Sequence, residues 1–591
     1  MSDSKRETVG LNGAGGLLSL WVLAVGLALL GLGSVPLRDW DEGIVARVAL
    51  ELANSPWPQQ LLPTYWGDAY RNKPPGLHGL LALLIRLWRQ LGGAAAPALP
   101  PEGLLRLGPA LLSSSLVPLL ALVQRRLLPQ QGPAPALASA VVALTLLPLA
   151  RHGRLVMLDG TLLSSMALLW WGLLLAQGPV PKLLRGGLLA GLATSALLLL
   201  KAPVALPVLA TALLLRWLDR DLGGRAWGWL LLALAMGLLP GLAWHGWHGW
   251  VRGPQQALEM WTSQGVARLG QGIEGHGGGP WPPLLEVLKG GWPWLPLWPF
   301  GIALAWRERR SRWGRWVLGL TAMASLLVLP LQTQLPWYSL LLWPPFCLAL
   351  GPVLVGLVRR DGAQVLPGAA GLRAVPRLWG GLGVLVLLAA AVGGVGLLPA
   401  LRPAALVALP AGLGLLLGGT WLAAGRYKQR LGGVIALALG FWLSLALLFG
   451  SPLWLWELNE RWPVKPVALQ VQTQVQAQAL AGADLHLWRQ GERPSLNWYL
   501  GRRVPLADGP GDLQGDGQGV SWLLSEQRPQ PAGWDCQLAA GAGDGAGEQP
   551  GPGPQAQPGQ EPRPGPQAQP GPQEQPGQPT AAVLLWRCQR R

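Results

Sequence analysis

Charge is scarce in this chain: Asp, Glu, Lys and Arg make up 13% of its 591 residues, about half the share of a soluble domain. So little charge cannot wet the surface of a water-soluble protein of this length, and that class is excluded. Cysteine is rarer still. With only Cys347, Cys536 and Cys588, neither a disulfide-rich scaffold nor a thiolate metal cluster is available. No Gly-x-Gly-x-x-Gly follows a strand pattern and no Walker loop occurs, so no nucleotide site is expected. Phe (4) and Tyr (5) are few against 34 Trp, many of them near the ends of apolar segments, where an indole suits a membrane interface.

What fills the chain instead is apolar sequence, 50% of all residues. Stretches suited to a hydrocarbon core of about 30 Å recur over residues 14–449, broken mostly by short loops rich in Arg, Pro and Gly. The first, 14–35, is too long for a signal-peptide core and no small-residue cleavage site stands out after it, so it is read as a retained anchor. Segment 74–88 is only about fifteen residues long and is interrupted by His78 and Arg86, which suits a helix lying at the interface. The remaining segments are 14–35, 104–123, 134–151, 160–178, 186–201, 203–216, 226–245, 293–306, 314–332, 336–358, 378–399, 403–425 and 431–451, thirteen spans in all.

Length alone does not decide that count, because 203–216 is no longer than the excluded segment; charge does. With the N-terminus inside, the cytoplasmic loops hold Lys5/Arg6, Arg125/Arg126, Lys182/Arg185, Arg216/Arg220/Arg225, Arg307 to Arg315, Arg359/Arg360 and Arg426/Lys428/Arg430, and every one is basic. A crossing at 74–88 would invert all later loops. The formal charge of +17 thus sits at segment ends rather than in one stripe interleaved with aromatics, so nucleic acid is not an expected partner. The expected fold is a polytopic α-helical membrane protein of about 13 transmembrane helices (residues 1–452), carrying a small extracytoplasmic α/β domain (453–591). Loops 36–88 and 246–292 fall on the same extracytoplasmic side. Within the tail, 540–579 is a Pro/Gly/Gln segment in which Pro-Gly-Pro-Gln-Ala-Gln-Pro-Gly occurs at 552–559 and 564–571; its composition predicts disorder inside a hairpin. Cys536 and Cys588 flank it and could pair in an oxidising compartment, but the sequence leaves this open.

Two places in loop 36–88 carry chemistry. Arg38-Asp39-Trp40-Asp41-Glu42-Gly43 sets three carboxylates at a low-dielectric boundary, where an acid is costly unless it is paired or used. Salt bridges to Arg38 and Arg47, or capping of a helix over 44–53, would account for them without function. A general base for an acceptor hydroxyl would account for them equally. Some thirty residues on, Tyr70-Arg71-Asn72-Lys73-Pro74-Pro75 holds an ammonium on a backbone stiffened by two prolines just before the interfacial helix, at the level of a lipid-linked phosphate. An ordinary snorkelling lysine is the alternative.

Asp41-Glu42-Gly43 followed by Gly67-Asp68-x-Tyr70-x-x-Lys73-Pro74-Pro75 resembles the GT-C superfamily of integral-membrane glycosyltransferases, with the bacterial aminoarabinose (lipid A) transferases and the protein O-mannosyltransferases as nearest branches. Arg154-Leu155-Val156-Met157-Leu158-Asp159 resembles the second extracytoplasmic loop of that family, Lys201-Ala202-Pro203 its Lys-Gly-Pro turn, and Leu335-Pro336-Trp337-Tyr338 its Leu-Pro-x-Tyr element. All four places fall on one side of the topology drawn from the charges. The resemblance implies a GT-C type fold and an enzyme that transfers a sugar (hexosyl or pentosyl) from a polyprenyl-phosphate donor, with inversion, to a lipid, glycan or protein acceptor in the bacterial inner membrane. It implies Asp41, Glu42 and Asp159 as catalytic acids, and Lys73, Tyr70, Lys201, Tyr338 and Arg154 as binding residues.

Two departures from the family pattern bear on that site. Asn72 stands where those transferases have a Glu that helps ligate a metal in some members, which leaves Tyr70 and His276 as neutral ligands, a poor Zn²⁺ set. No cofactor is certain; a divalent metal stays open, with His276 a weak candidate. Gln334 occupies a position where Lys is frequent. The rival readings are a transporter or flippase of envelope glycolipids, which predicts charges near span midpoints and an inverted repeat that are not seen, and an assembly protein acting through its tail. Reporter fusions after Arg360 and after Leu506 are expected to read inside and outside respectively; the opposite pattern would remove the thirteen-span topology.

Overall fold

The computed structural model describes residues 14–93, 97–266, 279–359, 368–455, 462–475, 482–516, 518–541 and 583–591. The chain divides into two units: Met1–Val35 with Ala49–Trp454, and Pro36–Val48 with Leu455–Arg591.

The first unit is helical. Its early elements are α1 (Ala14–Leu29), the end of α2 (Asp41–Asn54), α3 (Gly76–Gly92), α4 (Glu102–Ser114), α5 (Leu116–Leu127), α6 (Ala134–Thr145), α7 (Leu147–Gly153), α8 (Asp159–Leu175), α9 (Val180–Leu218) and α10 (Gly224–Arg252). Each of the thirteen segments read as a span is helical over most of its length. Among the described residues, seven helices are long and apolar enough to cross a membrane, or eight if the bent pair α6 and α7 is one span. That pair bends by 64° because Leu146 is extended (φ −82°, ψ 116°) ahead of Pro148, which cannot donate a helical hydrogen bond.

The largest departure from the expected element list is α9, which runs through both 186–201 and 203–216 as one assigned helix of 39 residues. Its contacts show that the chain reverses within it. Lys201 is non-helical (φ −152°, ψ 79°), and Pro203 has no N–H to offer the Leu199 carbonyl. At one end of α8, Lys201 meets Asp159; at the other, Gly186 packs on Gly172 and Ala176, and Arg216 donates to the carbonyls of Leu173 (3.1 Å) and Ala176 (3.0 Å). Residues 186 and 216 therefore share one level and 201 the other. α9 is a helical hairpin with Lys201 at its tip, so the two segments remain separate helices.

At the base of this hairpin, Asp219 accepts from Arg315 (3.0 Å) and Trp316 (3.1 Å), while Arg312 reaches both Asp219 (3.2 Å) and Asp221 (2.5 Å). The two basic loops that the charge pattern put on one side are thus in contact, at the end opposite Lys201.

Helix α3, the segment 74–88 of the sequence, buries Leu77, His78, Leu81, Ala82 and Ile85 on one face and leaves Leu83, Leu87 and Leu91 exposed on another. That division suits a helix lying along an apolar boundary. Arg86 caps the end of α2, donating to the carbonyls of Leu52 (3.0 Å), Ala53 (2.9 Å) and Ser55 (2.7 Å).

The second unit holds the expected α/β fold. Two-residue strands β1 (Thr64–Tyr65) and β2 (Asp68–Ala69) form a hairpin in the first unit; the second unit has β3 (Asp484–Trp488), β4 (Leu506–Ala507), β5 (Val520–Ser525), β6 (Trp534–Gly541) and β7 (Leu584–Arg590), in sheet order β4-β3-β5-β7-β6. The three strands β4, β3 and β5 are parallel, and β7 and β6 run antiparallel. Helices Val464–Gln474 and Pro494–Leu500 bury Val467, Val471, Leu496 and Leu500 against Leu485, Leu487 and Leu585. Each strand has its other face on a second cluster with Trp488, Trp534 and Trp586, the period-2 signature of a two-sided sheet.

Cys536 and Cys588 stand directly opposite on β6 and β7 and are disulfide-bonded. The predicted disordered insertion 540–579 lies outside the described residues, apart from Ala540 and Gly541, which end β6. A protease site engineered at about residue 560 is expected to give two pieces that stay joined until a reductant is added; separation without reductant would exclude the pairing. Because the bond closes a 52-residue separation, Cys588→Ser should cost the unit about 4 kcal/mol, read as a lower unfolding midpoint of the full chain.

Candidate active site

Asp159 opens α8, where a carboxylate is favoured by the helix dipole. Its Oδ1 lies 3.5 Å from Lys201 Nζ, and the same ammonium sits 4.9 Å from the centre of the Tyr338 ring. All three side chains are largely withdrawn from solvent. An ammonium held by one acid and one aromatic face retains N–H capacity for a further anion.

The turn bearing Lys73 abuts this hairpin tip. A Cβ on Gly76 would lie 2.6 Å from the Leu199 carbonyl oxygen, two residues before Lys201, so only glycine allows the approach. Lys73 itself is half-buried just ahead of α3.

Tyr70 is delivered to the same place by the β1–β2 hairpin. Trp66 (φ 54°) and Gly67 (φ 85°) take the positive-φ turn of a two-residue loop, and the Glu51 carboxylate caps it, accepting from Thr64 Oγ1 (2.6 Å), Trp66 N (2.7 Å) and Gly67 N (3.2 Å). The Tyr70 N–H then donates to the Pro63 carbonyl (3.0 Å), and its ring meets His78 edge-on at 5.6 Å. Glu51 escaped the sequence reading. Its one signal was an acid in the otherwise apolar run 48–53.

His78 is fully buried, its Nδ1–H directed to the Pro74 carbonyl (3.1 Å); since a carbonyl only accepts, this assigns the proton to Nδ1. Burial, with the Lys73 charge nearby, lowers its pKa from 6.5 to about 3.

Arg154 takes a different place. It is fully buried, its guanidinium 4.4 Å from the Phe449 ring centre and 4.5 Å from that of Trp454, and it donates to the Leu30 carbonyl beyond α1. Arg106 holds the same chain end, donating to Leu32 (3.0 Å) and Val35 (2.8 Å). Gln334, at the position where Lys was expected, donates to the carbonyls of Val328 (3.1 Å) and Leu331 (2.7 Å). It supports the backbone leading to Tyr338.

Asp41 and Glu42 belong to the second unit. Helix α2 starts at Asp41 rather than at residue 44. The buried Glu42 carboxylate accepts from the Arg38 N–H (2.8 Å) in the manner of a capping acid, while Asp41 is half-buried in the first turn.

His276 lies outside the described residues, and among those described no three His, Cys, Asp or Glu side chains come together.

No family model matches this chain, and no curated protein matches it. Among solved structures, the fold is found in ArnT from Cupriavidus metallidurans. The form bound to undecaprenyl phosphate aligns at 19% identity and a TM-score of 0.60, over 87% of this chain and 93% of that one; the apo state aligns at 18% and 0.61, over 86% and 93%. The chain shares the fold of that protein, and at these identities the likeness is one of fold alone.

Because His78 is neutral when folded and charges when unfolded below pH 6.5, its burial costs stability as pH falls from about 6.5 towards 3, by about 1 kcal/mol per pH unit. The unfolding midpoint should fall more steeply with acid in the native chain than in His78→Gln; parallel curves would contradict the burial.

Proposed function

We propose that this protein is a membrane glycosyltransferase that moves a sugar from a polyprenyl-phosphate donor to an extracytoplasmic acceptor. The observation that carries the reading is the Asp159–Lys201–Tyr338 cluster against the Lys73 turn, in a fold shared with a protein crystallised with undecaprenyl phosphate.

Lys73 and Lys201 supply the cations for the donor phosphate. As the bond from the anomeric carbon to the phosphate oxygen breaks, the departing phosphate gains negative charge, and the ammonium groups stabilise it in a site poor in water. Tyr338 and Asp159 hold Lys201 in place, and Tyr70 borders the same turn. Asp41 takes the proton of the acceptor hydroxyl while its oxygen attacks the anomeric carbon from the opposite face, so a single displacement inverts the centre. Glu42 shapes the turn that presents Asp41. Arg154, packed between two aromatic rings, supports the scaffold. No step is assigned to a metal.

The apolar donor chain enters from the bilayer, which accounts for a catalytic centre at its surface. A bacterial inner membrane, with site and C-terminal unit extracytoplasmic, suits the basic loops and the disulfide. The acceptor is a lipid, a glycan or a protein.

Asp41→Asn is expected to abolish the product found by mass spectrometry of envelope glycolipids and glycoproteins while leaving the protein inserted; continued turnover would exclude it as the base. Lys73→Ala and Lys201→Ala are each expected to weaken undecaprenyl phosphate binding about tenfold, the loss of one charge-assisted contact. An unchanged affinity would remove the phosphate role.

A further inference from the structure

Asp39 is a deeply buried carboxylate of loop one, with its side chain 1% exposed, and sequence alone offered only Arg38 or Arg47 to neutralise it. Its partners come from the far end of the chain. Oδ2 accepts from Arg493 Nε (2.5 Å), and Oδ1 accepts from the Ser495 N–H (2.7 Å) and the Ser495 hydroxyl (2.5 Å). The Arg493 guanidinium lies 4.4 Å from the centre of the Trp462 ring and donates to the Trp462 carbonyl (3.4 Å). Three more contacts join the same two segments. The Leu37 N–H donates to the Tyr499 hydroxyl (2.7 Å), and a Cβ on Gly43 would stand 2.6 Å from Ser495 N and 2.7 Å from the Pro494 carbonyl carbon. Residues 37, 39 and 43 are thus fastened to the short helix Pro494–Leu500 on both sides of Asp41, which is itself only half-buried.

From this geometry we propose that Arg493 and Ser495 are positioning residues of the transferase: through Asp39 they set the backbone that presents Asp41. This rests on the reading of Asp41 as the acceptor base. A buried carboxylate with three charge-assisted donors defines position far better than a solvated loop does, and a misplacement of about 1 Å at a reacting group can cost a hundredfold in rate. Arg493 and Ser495 then act in catalysis without touching substrate.

The test uses the full chain in membranes, carrying Arg493→Gln, Arg493→Lys or Ser495→Ala. Three readouts are taken: envelope product by mass spectrometry, undecaprenyl phosphate affinity of the purified protein, and the methanethiosulfonate labelling rate of an Asp41→Cys reporter in each background. Cys347 is buried and the other two cysteines are bonded to each other, so the reporter reads alone. In Arg493→Gln the product is expected to fall about a hundredfold. The labelling rate should shift about fivefold or more as the segment loosens, with undecaprenyl phosphate affinity unchanged. Arg493→Lys should recover part of both, and Ser495→Ala should be milder. Unchanged product or unchanged labelling in inserted Arg493→Gln overturns the proposal, as does parallel loss of undecaprenyl phosphate binding in all three variants. If labelling shifts as expected but Asp41→Asn still makes product, it is the assignment of Asp41 as base that has failed.

Discussion

An ammonium at the tip of a helical hairpin beside hydrocarbon is costly unless an acid, an aromatic face or water meets it, and Lys201 has the first two in Asp159 and Tyr338. That one requirement organises the helical unit. It fixes the start of α8 against the middle of α9, it places the element after Gln334 over the tip, and it leaves room at Leu199 for the glycine after the Lys73 turn. Where the chain turns at Lys201, Pro203 frees a backbone carbonyl, so break, charge and close approach fall within five residues. The opposite end of the hairpin answers the same physics with the Arg216, Asp219, Asp221, Arg312 and Arg315 network.

Buried arginines solve a related problem. The carbonyls of Leu30, Leu32 and Val35, just past the end of α1, are met by Arg154 and Arg106 from neighbouring segments while the guanidinium groups lie against Phe449 or Trp454. Arg86 does the same for α2. In each case the sequence presents a cation in an apolar run, and ligand binding and backbone capping look alike until the geometry separates them.

Much was legible before any coordinates. Hydropathy and the basic loops placed the helical segments, and period-2 apolar runs placed the small sheet. The motifs around Lys73, Asp159, Lys201 and Tyr338 marked the places that the fold draws together. Glu51, Arg493 and Ser495 were not legible: Glu51 works only through the turn that folds back on it 13 to 16 residues later, and Arg493 and Ser495 hold a partner 454 and 456 residues away.

The sequence by itself determined which segments are apolar enough to leave water, which ends carry charge, and which residue types could serve a lipid-linked phosphate, because these follow from composition and local spacing. Tertiary structure alone decided that α9 folds back at Lys201, that Asp159 rather than solvent meets that ammonium, that Cys536 faces Cys588, and that Asp39 belongs to the C-terminal unit. The reason is physical. Burial and pairing of a polar group are properties of its neighbours in space, and no local pattern names a neighbour hundreds of residues away.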